Sequence, residues 1–259
     1  MRLLALPLLL ALATPAAAAE ADLCANRPGL ASDPCVVGSG RVQLEFSLVA
    51  WSRSRKGDEV ERERSLLPVE LRVGLDPRTE VSVALEPALR SSVRAQYITE
   101  RARGVGDLTF TLKHVLTPDT ADVAVAALSF VTLPTGSGPF TAGRVGAGLL
   151  LPMGTELGPV SLALAPEVDL LPNSDRPGRH LRGALAGAAW LSLDERLSVG
   201  VDALVARERD GAERYREAQV GLAAAFLATP DLQFDVEVDA GLARSSPDLA
   251  VITGVAIRF

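Results

Sequence analysis

Polar and apolar residues alternate strictly along the last thirty residues of the chain. In residues 232–242, apolar side chains occupy the even positions, while polar residues or glycine occupy the odd ones. Because successive side chains of a strand point to opposite faces, this stretch predicts a strand with one apolar face and one face carrying Asp235, Glu237 and Asp239. Residues 249–259 repeat the alternation and end on Phe259. The two stretches predict a β-hairpin at the end of the chain.

The same alternation recurs from Arg41 onward and predicts about twelve strands, the even number expected of a bacterial barrel. Short turns on one side, such as residues 76–79, are expected to alternate with longer connections on the other. We interpret two Arg-rich stretches as such connections, residues 52–64 and the region from Arg90 to Arg103, and residues 153–159 as a return between strands. The pattern is typical of a transmembrane antiparallel up-and-down β-barrel of about twelve strands.

Two alanine-rich stretches, residues 183–193 and 218–228, would also suit a helix. An even strand count requires both to be strands, and their small side chains fit a tight barrel interior. After the first 19 residues, the chain offers no run of the ~20 apolar residues that a membrane helix needs. A closed barrel is then the remaining way to span a membrane, with outer-membrane lipids as partners.

The first 40 residues differ from the barrel region. Residues 1–19 have one arginine, an apolar core and a small-residue end, which predicts a secretory signal peptide. Residues 20–40 are expected to form an N-terminal periplasmic segment, and residues 41–259 the outer-membrane barrel. Cys24 and Cys35 are the only cysteines, so in an oxidising compartment they predict a disulfide, worth about 3 kcal/mol for so short a loop. The segment could cap the periplasmic mouth, plug the barrel or act as a tether.

The polar face of the predicted strands is strongly acidic, in keeping with a formal net charge of −6 that makes nucleic acid an unlikely partner. The candidates for lumen-facing side chains are Glu45, Glu70, Arg72, Glu80, Glu86, Asp107, Lys113, Glu167, Asp169, Asp202, Asp235, Glu237 and Asp239. Two interpretations stay open. These groups pair with one another and solvate a narrow interior, or they line a passage that favours cations or neutral solutes. About twelve strands leave at most a narrow passage.

Three motifs resemble the family of outer-membrane transporters named for a phenol meta-cleavage degradation pathway. They are residues 104–116 (GVGDLTFTLKHVL), residues 129–138 (SFVTLPTGSG) and residues 246–259 (SPDLAVITGVAIRF). The resemblance covers about three-fifths of the chain and implies a transporter barrel for small solutes, hydrophobic or aromatic ones among them. The closing strand with terminal Phe259 resembles the recognition signal of the barrel-assembly machinery, which is a further expected partner.

The sequence argues against an enzyme. Only His114 and His180 are available as general bases, and their positions predict interfacial side chains rather than a catalytic centre. We find no nucleophile elbow, no phosphate loop, no cofactor motif and no cluster of metal-ligand residues. A non-conducting structural or surface-binding barrel is the first alternative, and a soluble periplasmic β-sandwich that binds a ligand is the second. The sandwich leaves the sidedness of the loops and the terminal Phe259 unexplained.

Overall fold

The computed structural model describes residues 23–259, about two thirds of which lie in antiparallel strands. The predicted signal peptide lies outside the described residues. The strands are β1 (Val42–Lys56), β2 (Glu59–Leu66), β3 (Val69–Asp76), β4 (Thr79–Leu85), β5 (Ala88–Ala95), β6 (Ile98–Gly104), β7 (Leu108–Val115), β8 (Ala124–Leu133), β9 (Gly146–Leu150), β10 (Met153–Leu157), β11 (Val160–Pro172), β12 (Arg179–Ser192), β13 (Leu197–Asp210), β14 (Glu213–Thr229), β15 (Leu232–Gly241) and β16 (Leu249–Arg258). A short 3-10 helix spans Gly138–Phe140.

The sixteen segments form a closed barrel of twelve strands, because four strands are each interrupted once. The interruptions separate β2 from β3, β4 from β5, β6 from β7 and β9 from β10. Pro68, Pro87 and Pro152 lie in three of them, where proline has no N–H for the ladder. The carbonyl of Pro68 still accepts from Ser47 N at 2.9 Å, so the strand bends without leaving the sheet.

The barrel closes where β16 pairs with β1, from Gln43 opposite Arg258 to Arg53 opposite Leu249. This closure confirms the predicted up-and-down barrel and is incompatible with the two separate sheets of a sandwich. Both alanine-rich stretches are strands, within β12 and β14. Within residues 23–259, no helix has the length and apolar character needed to cross a membrane.

The structure corrects three expected connections. Residues 52–64 belong to β1 and β2, joined by a tight turn at Gly57 and Asp58, and the region from Arg90 to Arg103 forms most of β5 and β6. Their charged residues mask the alternation, yet the backbone ladder continues, with Arg53 opposite Arg62. Residues 153–157 are likewise a strand rather than a return. The strands therefore extend further than their apolar stretches.

The barrel is apolar outside and polar inside. In β15 the side chains of Phe234, Val236 and Val238 are 45%, 41% and 40% exposed, whereas Asp235 and Glu237 are only 7% and 3% exposed. A water-soluble sheet packed on a core has the opposite arrangement. Exposed apolar side chains also occur along β7, β11, β13 and β14. This surface suits an apolar solvent around the barrel.

Candidate functional site

The barrel lumen is occupied by residues 23–40, which we call the plug. Cys24 and Cys35 form the predicted disulfide and close the plug into a compact loop. Gly40 N donates to Gly74 O at 2.9 Å, so the plug enters at the rim of β3. A β-carbon on Gly74 would lie only 1.7 Å from Gly38 O, so this close approach requires glycine. Among the three roles left open for this segment, the contacts favour the plug.

Carboxylates of the barrel wall hold the plug through its backbone. Backbone N–H groups of the plug donate to lumen carboxylates on four different strands. The pairs are Asn26 N with Glu45 (3.1 Å), Gly29 N with Glu237 (2.9 Å), Leu30 N with Asp202 (3.1 Å) and Val37 N with Glu80 (2.8 Å). Hydrogen bonds to a charged acceptor are roughly twice as strong as neutral ones. The acidic wall is therefore a docking surface for plug amides.

Arg27 adds a charged anchor to the plug. Its Nε lies 2.8 Å from Asp235 Oδ2 and its Nη1 lies 3.0 Å from Ser47 Oγ, which links β15 with β1 across the barrel seam. Gln233 on β15 donates to the backbone carbonyl of Arg27 at 2.8 Å. One plug residue therefore contacts both sides of the seam that closes the barrel.

Arg72 and Lys113 are the buried cations beneath the plug. Arg72 contacts Glu45 at 2.6 Å and Glu80 at 2.7 Å, and its Nη1 donates to the Cys24 carbonyl at 2.6 Å. Lys113 Nζ lies 3.4 Å from Glu80 and donates to the carbonyls of Asp33 and Cys35. Burial raises the pKa of the plug residue Asp33, although the nearby positive charges of Lys113 and Arg72 oppose that shift.

Glu70, Glu86 and Asp107 lie around a cavity of about 310 Å³ next to the plug. Glu70 accepts from Ser82 Oγ at 2.5 Å and from Asn26 Nδ2 at 3.3 Å. Asp107 accepts from the backbone N–H groups of Gly136 and Ala142, so it fixes the loop between β8 and β9. Glu86 is an exposed residue that lines the cavity at the break between β4 and β5. We call this space the acidic cavity.

Glu167 and Asp169 lie nearer the long-loop end, around Arg182. Arg182 contacts Glu167 at 3.2 Å, Asp169 at 2.9 Å and Glu217 at 3.2 Å. This network joins β11, β12 and β14 above the plug. Asp239, the last predicted lumen residue, is buried two residues beyond Glu237 on the same face of β15. All thirteen candidates are thus located, in three groups rather than one.

A second cavity of about 260 Å³ lies on the opposite side of the plug, against the alanine-rich wall. Ala163, Ala188 and Ala225 line it together with Trp190. Asn26 and Arg27 line both cavities, so the plug at these two residues separates the acidic cavity from the second one.

Asn26, Arg27 and Arg182 were missed as site residues. The sequence signal available was the short stretch between the two cysteines, in which Asn26 and Arg27 precede a proline and a glycine. The alternation of the strands carries no information about a segment that is not a strand. The role of these plug residues therefore emerges only from the folded chain.

The two histidines lie at opposite ends of the barrel. His114 contacts Thr79 Oγ1 at 2.9 Å beside the short turn at 77–78, whereas His180 lies between Asn173 (3.1 Å) and Glu208 (3.2 Å) near the long loops. They cannot serve one common catalytic centre.

Residues 25–259 match the protein family described by the MetA-pathway of phenol degradation. The chain belongs to this family. The match extends well beyond the three motifs and includes the plug from Ala25 onward. No curated protein sequence matches the chain significantly.

Solved structures of outer-membrane proteins share the fold of this family member. The crystal structure of an outer membrane channel from Pseudomonas putida F1 is 15% identical, with a TM-score of 0.69, covering 86% of this chain and 96% of that one. The translocator domain of the autotransporter NalP from Neisseria meningitidis is 14% identical, with a TM-score of 0.56 and coverage of 86% and 89%. The NanC porin is 10% identical, with a TM-score of 0.54 and coverage of 83% and 98%.

Proposed function

We propose that this protein is an outer-membrane channel for small solutes, with a passage that the plug narrows at Asn26 and Arg27. The observation that carries the proposal is the position of these two residues between the two lumen cavities. Outer-membrane location is supported by the shared fold, by the exposed apolar side chains of the barrel and by the polar interior. Lipids cover the outer surface in this proposal, and the barrel-assembly machinery inserts the chain.

The proposed path begins at the acidic cavity, passes the side chains of Asn26 and Arg27, and continues into the second cavity. The acidic lining favours cations and neutral solutes over anions, because fixed like charges repel an anion in a narrow space. Trp190 offers a planar apolar face in the second cavity, which suits a small aromatic solute. The family name, with its reference to phenol degradation, points to the same solute class.

We infer a channel rather than an enzyme. The solved structures with this fold include an outer membrane channel and a porin. The separation of the two histidines supports the same conclusion. A non-conducting structural barrel is the remaining alternative, because the plug docks through so many hydrogen bonds, and only conductance distinguishes the two.

Single-channel recording in a planar bilayer tests the proposal. Wild-type protein should show small, brief openings, and Arg27→Ala should show a larger conductance because it removes the side chain between the cavities and its bond to Asp235. Arg78→Ala is the matched control, since Arg78 lies on an exposed turn and its contact with Asp119 is 3.7 Å long.

If neither wild type nor the Arg27→Ala variant conducts, although heat-dependent migration on gels shows that both are correctly folded, the protein is a non-conducting structural barrel. Equal conductance of wild type and Arg27→Ala would instead mean that the passage does not run past the plug at this point.

A further inference from the structure

Three carboxylates meet in the lumen wall without a cation beside them. Asp202, Glu237 and Asp239 offer one oxygen each, and these oxygens all lie within 4.8 Å of one another. The three residues are 6%, 3% and 3% exposed. Like charges this close and this buried repel strongly unless a positive charge intervenes. Among residues 23–259, no arginine or lysine forms an ion pair with any of them.

The hydrogen bonds of these carboxylates are asymmetric. One oxygen of Asp202 accepts from Leu30 N and one of Glu237 accepts from Gly29 N, so both are used by the plug. The other oxygens, Asp202 Oδ1 and Glu237 Oε1, are buried without a hydrogen-bond partner, as is Asp239 Oδ1. A buried charged oxygen without a partner is costly. Three such oxygens in one place point to a missing ligand.

Gly221 makes the convergence of the two aspartates feasible. It pairs with Asp202 on one side and with Asp239 on the other, so these residues lie two strands apart, or about 10 Å between backbones. Their side chains lean toward each other over the glycine. A β-carbon on Gly221 would lie 2.1 Å from Asp202 Oδ1 and 2.6 Å from Asp239 Oδ1. The missing side chain therefore leaves the space in which the two oxygens converge.

We propose that Asp202, Glu237 and Asp239 bind a divalent cation of the Ca²⁺ class at the contact between the plug and the barrel wall. Ca²⁺ prefers oxygen ligands at about 2.4 Å, and two oxygens on opposite sides of such an ion are about 4.8 Å apart. One oxygen from each of the three carboxylates fits within that span. Water or backbone carbonyls would complete the six to eight ligands that the ion prefers.

The neighbouring Asp235 provides an internal comparison. It lies on the same face of β15, but Arg27 of the plug neutralises it at 2.8 Å. Among the described residues, no arginine or lysine neutralises the carboxylates beside Gly29 and Leu30 in this way. The bound cation would therefore balance their charge, as Arg27 balances the charge of Asp235. The bound ion would neutralise the carboxylates that hold Gly29 and Leu30, and so keep the plug in place. This inference does not depend on whether the barrel conducts.

Terbium luminescence tests the site, with Tb³⁺ as the Ca²⁺ analogue and Trp190 as the sensitising group. Trp190 is near the site: a β-carbon on Gly29 would lie 3.3 Å from Asp202 Oδ2 and 3.8 Å from Trp190 Cζ2. Purified full-length protein in detergent should give saturable Tb³⁺ emission that Ca²⁺ competes away. Asp202→Asn and Asp239→Asn should abolish it, whereas the control Glu195→Gln, on an exposed turn, should retain it.

Gly221→Ala distinguishes a specific ion site from non-specific attraction of Tb³⁺ to an acidic lumen. The added methyl group fills the space between the two aspartates without changing their charge. It should lose Tb³⁺ emission like the aspartate variants. A second readout is the temperature at which the barrel unfolds on gels, which Ca²⁺ should raise and EDTA lower for wild type but not for Asp239→Asn.

Absence of saturable Tb³⁺ emission from wild type would overturn the proposal, as would equal emission from wild type, Asp202→Asn and Gly221→Ala. A wild-type unfolding temperature that responds to pH but not to Ca²⁺ or EDTA would mean that the carboxylates share protons instead.

Discussion

At the scale of single residues, Arg72 shows how this lumen replaces an apolar core. The guanidinium has no exposed surface, and its two neighbouring carboxylates, Glu45 and Glu80, are both buried. Its fork of donors also reaches the Cys24 carbonyl, so wall and plug share one cation. Around Arg72, the interior is held together by paired charges rather than by apolar packing.

Arg72→Gln should destabilise the barrel strongly, because removing one partner from a buried ion pair leaves uncompensated charge and costs about 3–5 kcal/mol. The midpoint of heat unfolding, followed by gel migration, measures the effect. Arg78→Gln is the exposed control, and pairs of that kind contribute about 0–1 kcal/mol. Equal midpoints for the two variants would show that the buried network contributes little to stability.

The sequence predicts at this scale which face a residue occupies, but not its partner. The period of two assigns Asp235 and Glu237 to one face of the strand, because the face follows from position alone, and both side chains are buried in the structure. It gave no indication that Asp235 pairs with Arg27, 208 residues away along the chain. Nor did it show that Gly221 brings Asp202 and Asp239 together, since that depends on register across three strands.

At the scale of elements, strand existence was predictable and strand ends were not. Apolar alternation marks only the part of a strand that meets an apolar solvent. Beyond it, β1 and β2 continue with charged residues on both faces, because the backbone ladder needs no particular side chain. The alanine-rich β12 and β14 show the reverse case, in which barrel closure overrides the helical propensity of alanine.

The last residue, directly after the closing strand, contributes to closure of the barrel. Phe259 N donates to Val42 O at 2.8 Å, and Val42 N donates back to Phe259 O, so the last residue completes the seam. We expect deletion of Phe259 to lower the amount of heat-modifiable protein in the outer-membrane fraction. Phe259→Tyr, which retains the aromatic ring and the backbone pairing, is the control.

If the deletion and wild type accumulate to equal levels under low expression, the terminal aromatic has no part in assembly. The seam would then depend on the remaining pairs between β16 and β1.

At the scale of the whole molecule, negative charge is distributed unevenly along the lumen. At the plug, Asp235 is matched by Arg27, and Glu45 and Glu80 are matched by Arg72 and Lys113. Asp202, Glu237 and Asp239 have no ion pair within residues 23–259. In the acidic cavity, Glu70 and Glu86 have no ion pair among the described residues. An ion in the acidic cavity therefore lies beside two carboxylates without an ion pair, next to Arg27 of the plug, which also lines the cavity.

This asymmetry predicts the charge selectivity of the proposed channel. In a bilayer with a salt gradient, the reversal potential of wild type should report a preference for small cations over anions. The double variant Glu70→Gln and Glu86→Gln should reduce that preference without lowering the unfolding temperature much, because the amides preserve side-chain size. Glu195→Gln, on an exposed turn outside the lumen, should behave like wild type. A double variant with an unchanged reversal potential would mean that the acidic cavity lies off the conduction path, and that selectivity, if present, is set at Arg27.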